Sequence, residues 1–263
     1  MSEQAHQEHA SGPQVTLGDR YRIHPDRPLP QLDSPLAHAV AASDPRGAGR
    51  EMFALVCRPD LMPRIDFIPQ ISRLDSLPLV NPVDAGAVGW PETGGRRFVI
   101  VFDSNFGERI CESSDKTITP MREDQLTRTV IKPLLPVLKE LVGRHIPHRA
   151  IRADNLFYAD AGRQAVVLGE CVSAPPGISQ PVFYEPIDSA IARPSARGMG
   201  TVADDLYAFG ALLAFLLTGG EAVKGMSDEE IVEAKIALGS YSALIGQGRV
   251  SLGMMEPLRG LLC

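Results

Sequence analysis

From Leu206 to Leu217 the chain is apolar at almost every position, and the run is closed by Gly219-Gly220. A helix that crosses a bilayer needs about 20 such residues, so this run is too short and reads as a helix buried in a protein core. Asp204 supplies its start and the two glycines its stop. A helix of this kind has to be enclosed by other elements. A chain of 263 residues, 44% of them hydrophobic, can enclose it in one large domain or in two closely packed lobes.

The elements around that helix fall in a definite order. Residues 1–20 are polar and aperiodic and read as a disordered tail. Met52 to Val56 and Arg97 to Phe102 are short apolar runs that read as strands. Between them, Leu61, Ile65, Ile68, Ile71 and Leu74 recur at helical spacing, with Pro63 suited to a first turn and Pro69 set to kink or end the helix. A longer helical stripe follows at Leu126, Val130, Leu134, Leu138 and Leu141, interrupted by Pro133 and Pro136. Leu156 to Tyr158 and Ala165 to Leu168 read as two short strands. Residues 227–237 form an amphipathic helix, with Ser227 and Glu230 as its capping box. Strands lie early and helices late, with the boundary near 103–108, which predicts an α+β protein of two lobes: 21–103 and 104–263.

Composition narrows the functional classes. The net charge is -6 and no basic stripe is present, which argues against a nucleic-acid surface. Cys57, Cys111, Cys171 and Cys263 are scattered without a C-x-x-C pair, so the sequence predicts neither a disulfide framework nor a zinc site, and a cytoplasmic location fits. His145 and His148, three apart, are too few for a metal site and read as loop or packing residues.

The segment His148-Arg149-Ala150-Ile151-Arg152-Ala153-Asp154-Asn155 resembles the catalytic loop of the protein kinases, H-R-D-x-K-x-x-N. Other motifs follow in the family's order. Leu168-Gly169-Glu170-Cys171-Val172 stands where an L-G-D-F-G falls, Tyr184-Glu185-Pro186 resembles a degenerate A-P-E, and Asp205-Leu206-Tyr207-Ala208-Phe209-Gly210 resembles D-x-Y-S-x-G. The resemblance is to a degenerate member of the bacterial serine/threonine kinase type. It implies a bilobal fold with a small β-rich N-lobe and a mainly helical C-lobe. It also implies that His148 and Arg149 anchor the loop and that Asp205 receives backbone N–H groups from it. The late segment Met254 to Cys263 resembles a helix that in kinases continues into D-P-x-x-R. That arginine, the usual partner of the glutamate represented by Glu185, is absent, so the C-lobe is expected to be incomplete.

The residues that phosphoryl transfer requires are the ones missing. The chemistry is mostly positioning and charge neutralisation. Ala150 replaces the loop Asp, and Arg152 sits where the loop lysine usually lies. No lysine precedes Lys116, so the strand lysine of the first lobe cannot exist, and Cys57 or Arg58 occupies its place. No glutamate lies between Glu51 and Glu92 to serve as its helix partner; Asp66 with Arg58 or Arg64 reads as a solvated surface pair. Residues 28–45 contain no glycine, so a Gly-rich phosphate loop is absent, and Gly47 and Gly49 read as a hairpin turn.

Asn155 and Glu170 are the remaining candidates for a magnesium ion, and with Arg58 for a nucleotide. The alternative roles are loop bracing for Asn155 and an exposed loop carboxylate for Glu170. The segment from Glu170 to Glu185 is short and proline-rich, which suits a fixed conformation. Its hydroxyls before Tyr184 are Ser173 and Ser179, and Tyr184 stays open as a phosphorylation site. The expected function is therefore that of a catalytically inactive pseudokinase: a regulatory or scaffold module with no required cofactor and at most weak ATP and magnesium binding. Its expected partner is another protein, or further domains of a longer chain, with no nucleic acid and no membrane insertion. The rival expectation is a nucleotide-binding enzyme whose Asn155 and Glu170 support an atypical phosphoryl or nucleotidyl transfer.

Overall fold

A computed structural model describes residues 14–47, 50–75 and 77–263. The first lobe is a six-stranded antiparallel sheet in the order β1-β2-β3-β4-β6-β5. Its strands are β1 (Val15–Leu17), β2 (Tyr21–Pro28), β3 (Ala37–Ser43), β4 (Met52–Cys57), β5 (Pro82–Gly89) and β6 (Arg96–Asp103). The two strands expected from sequence are β4 and β6, side by side in its interior. Their apolar runs are continuous rather than alternating because both faces of the sheet are covered. Phe53, Leu55, Ile100 and Phe102 pack toward the helical lobe. Met52, Ala54, Val99 and Val101 point the other way, into a second core with Leu17, Tyr21, Ile23 and Trp90. The sheet curls to close that core, and β1 comes so near β5 that a Cβ on Gly86 would lie 2.9 Å from Leu17 Cδ1. β1 corrects the reading of 1–20 as a disordered tail: Val15–Leu17 pair with Tyr21–Ile23, and residues 1–13 lie outside the described residues.

The helix expected over 61–74 is instead a chain of short turns: a 3-10 turn at Ile65–Phe67, α1 (Ile68–Ile71) and a second 3-10 turn at Ser72–Leu74. Pro69 has no N–H to bond the carbonyl four residues back, so a regular helix cannot run through it, and Pro69 sits in the first turn of α1. Pro63 lies before the first of these turns.

The second lobe is helical. α2 (Glu123–Leu126) runs through a π turn at Thr127–Ile131 into α3 (Lys132–Gly143). The π turn absorbs the ladder bond that Pro133 cannot make, so the stripe predicted over 123–142 stays one continuous element. β7 (Leu156–Tyr158) and β8 (Val166–Leu168) form the expected small hairpin, followed by α4 (Ile187–Ile191). α5 (Val202–Thr218) is the apolar helix. A capping box of Thr201 and Asp204 starts it two residues earlier than predicted, and Gly219 ends it at φ 70°. α6 (Asp228–Leu238) carries the predicted Ser227–Glu230 box, and α7 (Ser240–Ile245) and α8 (Leu252–Leu261) complete the lobe. α5 is buried on nearly all sides, and Gly210 lets α8 approach it: a Cβ there would lie 2.7 Å from Leu261 Cβ. Among the described residues no helix is long and apolar enough to cross a membrane.

Candidate functional site

The catalytic-type loop, 147–155, is hung from α5. Asp205 accepts the backbone N–H of His148 at 2.5 Å and of Arg149 at 2.7 Å, one on each carboxylate oxygen. These bonds hold Arg149 at φ 62°. Desolvation nevertheless pushes the Asp205 carboxyl up to about 6. His148 is fully buried and donates through Nε2 to the Gly169 carbonyl at 3.1 Å. Burial depresses its imidazole to about 3, so the ring is neutral. Arg152 donates to Asp154 at 2.8 Å. Asn155 spends its amide on the carbonyls of Ala150 and Glu170, both at 2.9 Å, and so braces the loop against the following segment.

Glu170 is not an exposed carboxylate. One of its oxygens accepts the N–H groups of Val172 at 2.7 Å and Ser173 at 2.9 Å, and the other accepts the Ser173 hydroxyl. With Glu170 turned to its own loop and Ala150 in place of a carboxylate, the Asn155 side-chain oxygen is the one donor left of this set, which does not fit a magnesium ion held through one or two carboxylates. Among the described residues no cluster of three or more His, Cys, Asp or Glu could hold a metal. Arg58 is not brought to the site either. It is exposed and pairs with Asp60 at 2.6 Å. Cys57 does point inward. Its buried thiol is pushed up to about 12, chiefly by desolvation and secondarily by the charge of Glu170.

Sequence reasoning missed two arginines that join the lobes. Arg64 is buried rather than paired on the surface with Asp66. Its guanidinium donates to the carbonyls of Pro147 at 2.7 Å, His148 at 2.9 Å and Cys171 at 3.0 Å, and lies 4.0 Å from the Phe67 ring centre. Its backbone N–H bonds the Val172 carbonyl at 2.9 Å. Arg109 spans the front of the cleft: it donates to Asp154 O at 2.6 Å and Asp33 O at 2.8 Å and covers the Phe157 ring at 4.9 Å. Neither residue carried a sequence signal, because their acceptors are main-chain carbonyls, which any residue supplies.

The cleft between the lobes is largely filled. The turn at 29–36, joining β2 to β3 where a Gly-rich loop was sought, bends down onto the second lobe, and Ser34 Oγ lies 3.1 Å from Ser173 Oγ. The cavity left beneath it is about 20 Å³, lined by Ser34, Leu36, His148, Ala150, Arg152 and Glu170 among others. That is room for about one water. Farther in, Phe53, Phe106 and Phe157 form an aromatic cluster, Phe53 meeting Phe106 edge to face at 6.1 Å and Phe106 tilted against Phe157 at 4.6 Å between ring centres. The segment joining the lobes is zipped to β7: Gly107 N–H bonds Tyr158 O, Tyr158 N–H bonds Glu108 O, and Ile110 N–H bonds Leu156 O. A groove of about 760 Å³ remains at the mouth. Its lining includes Asp33, Glu108, Glu112 and Asp154 against the single guanidinium of Arg109.

The segment after Glu170 is tied down throughout. Glu185 was expected to lack a partner, but both of its oxygens accept from Arg149 Nη2 at 2.9 Å, and Arg197 lies 3.7 Å away. Lys235 of α6, wholly buried, donates to the carbonyls of Val182, Phe183 and Glu185. Tyr184 is buried, and its hydroxyl accepts the Ala153 N–H at 3.3 Å.

No family model matches the chain, and no curated protein matches it. Solved structures do. The Mycobacterium tuberculosis PknI kinase domain superposes with a TM-score of 0.60 at 16% identity, covering 96% of this chain and 99% of that one. The structure of Rad53 residues 1–466 in complex with AMP-PNP superposes with a TM-score of 0.59 at 15% identity, covering 88% of this chain; the match spans 58% of that protein's chain. The chain therefore has the bilobal α+β fold of the protein kinases, as the motif order implied.

Proposed function

We propose that this chain is a pseudokinase: a kinase-like domain that acts by binding a protein partner, or by regulating domains attached to it, and that transfers no phosphate. The observation that carries this reading is the closed inner cleft. A drug-sized ligand occupies a few hundred Å³, against the roughly 20 Å³ above Ala150. The motif losses point the same way: no carboxylate at Ala150, no strand lysine, and Glu170 turned inward onto its own loop. The groove at the mouth is larger, but the charge balance of its lining opposes a triphosphate. On this reading the domain works in the cytoplasm without cofactor, nucleic acid or membrane insertion.

Arg64 and Arg109 hold the two lobes together, so the closed form needs no ligand. The test is a thermal-shift series with ATP, ADP and AMP-PNP, each with and without magnesium, beside an assay for label transfer from γ-labelled ATP. Unchanged melting and no transfer are expected. A magnesium-dependent shift abolished by Glu170→Ala would favour the rival nucleotide-binding enzyme and end this reading.

A further inference from the structure

Glu185 sits at the centre of a buried charge network whose other members come from four separate parts of the chain. Arg149 arrives from the catalytic-type loop and donates to both carboxylate oxygens. Arg197 arrives from the segment after α4, where it also donates to the carbonyls of Gly177 at 3.1 Å and Gln180 at 2.5 Å. Asp204, at the start of α5, lies 3.4 Å from Arg149 Nη1. Lys235 grips the carbonyls on either side of Tyr184.

The backbone is shaped to admit this network. Gly177 has φ 69° and Gly200 has φ 66°, and a Cβ at either would press on the Arg149 guanidinium or stem. Arg149 and Glu185 are both buried, so their attraction is little screened by solvent. Activation segments elsewhere are ordered when a phosphate added to a side chain meets an arginine. Here the arginine is already met by a carboxylate that the chain carries permanently. Two of the segment's hydroxyls, Ser173 and Tyr184, are buried and hydrogen-bonded within the fold, while Ser179 and Ser189 are half-buried and Ser195 and Thr201 are exposed.

We propose that Glu185 is a built-in substitute for a regulatory phosphate: its carboxylate on Arg149 and Arg197 keeps 170–201 ordered against the catalytic-type loop with no modification needed. This does not rest on the absence of phosphoryl transfer, since an active or an inactive cleft is equally compatible with a permanently ordered segment. The test is amide hydrogen exchange over 173–201 in the full chain. Glu185→Gln keeps the shape and removes the charge, and should speed exchange there by at least about tenfold while the sheet strands β4 and β6 hold their protection. Phosphatase treatment of the unaltered protein should leave the exchange unchanged. If Glu185→Gln fails to fold, Arg197→Gln gives the same readout from the outer partner. Unchanged exchange over 173–201 in a folded variant, or faster exchange after phosphatase, would overturn the proposal.

Discussion

The hydroxyls of Ser34 and Ser173, 139 residues apart in sequence, lie 3.1 Å apart and close the inner cleft. Ser34 belongs to the turn between the first two long strands, and Ser173 is held in place by Glu170. A roof contact and a degenerate motif are thereby joined. The residue that departs from the kinase pattern is itself the one that orders the loop against which the roof rests.

Restoring a single missing group should therefore not restore chemistry. Ala150→Asp returns the loop carboxylate, but it enters a space of about 20 Å³ and gains no strand lysine to work with. The expected result is no transfer of label from γ-labelled ATP above the unaltered protein. Transfer above that background would show that the cleft opens far enough for a nucleotide.

The two inter-lobe arginines should dominate mutational sensitivity around the cleft. Arg64→Ala leaves three buried carbonyls without their donor and is expected to cost about 3 kcal/mol in urea unfolding. Arg64→Lys should recover little of that, because an ammonium cannot reproduce the planar fork that reaches all three. Arg109→Ala, with its acceptors nearer solvent, should cost about 1–2 kcal/mol. Equal stability of Arg64→Ala and the unaltered protein would remove the idea that this residue joins the lobes.

Much of the fold was legible in the sequence because its signals are local. The run ending at Gly219-Gly220, the Ser227–Glu230 box and the central strands each follow from residues within one element. The loop's suspension from Asp205 was legible through the motif resemblance. The parts that escaped reading depend on partners far along the chain. Arg64 looked like half of a surface pair with Asp66, and only folding reveals the carbonyls at 147, 148 and 171. Glu185 looked orphaned because its expected arginine is absent, whereas Arg149, 36 residues earlier, takes the place. The segment at 61–74 shows a helical apolar stripe, but one proline decides against a regular helix.

Gly169 offers a steric test of the loop's bracing. A Cβ at this position would overlap the Asn155 side-chain oxygen and press on the Asn155 main chain. Gly169→Ala should therefore displace Asn155 from the carbonyls of Ala150 and Glu170 and destabilise the protein by about 3 kcal/mol, near the upper end for overpacking. Asn155→Ala in the same background should then cost much less than it does alone, since the two changes act on one contact. Additive losses in this double-mutant cycle would show that the glycine serves some other purpose.

His148 makes the acid side of the stability profile predictable. Its ring is held neutral by burial, with its proton shared with the Gly169 carbonyl, and its folded value is depressed to about 3 from an ordinary 6.5. Below pH 6.5 the unfolded chain takes up a proton at this residue that the folded chain refuses. Its contribution to stability is thus complete above pH 6.5 and is lost as pH falls toward 3, with a slope of up to about 1.4 kcal/mol per pH unit. Asp205 acts in the opposite sense. Raised to about 6, it binds a proton more readily in the folded state and adds stability as pH falls from 6 toward 3.8. The two are separated by comparing the protein with His148→Gln, which keeps a donor for Gly169 and has no proton to gain. The difference in unfolding free energy between the two should be flat from pH 8 to 7 and should shrink steadily from pH 6 to 4, the His148 protein losing stability faster. A difference independent of pH over that lower range would mean that the imidazole titrates freely and is not sealed beneath the loop.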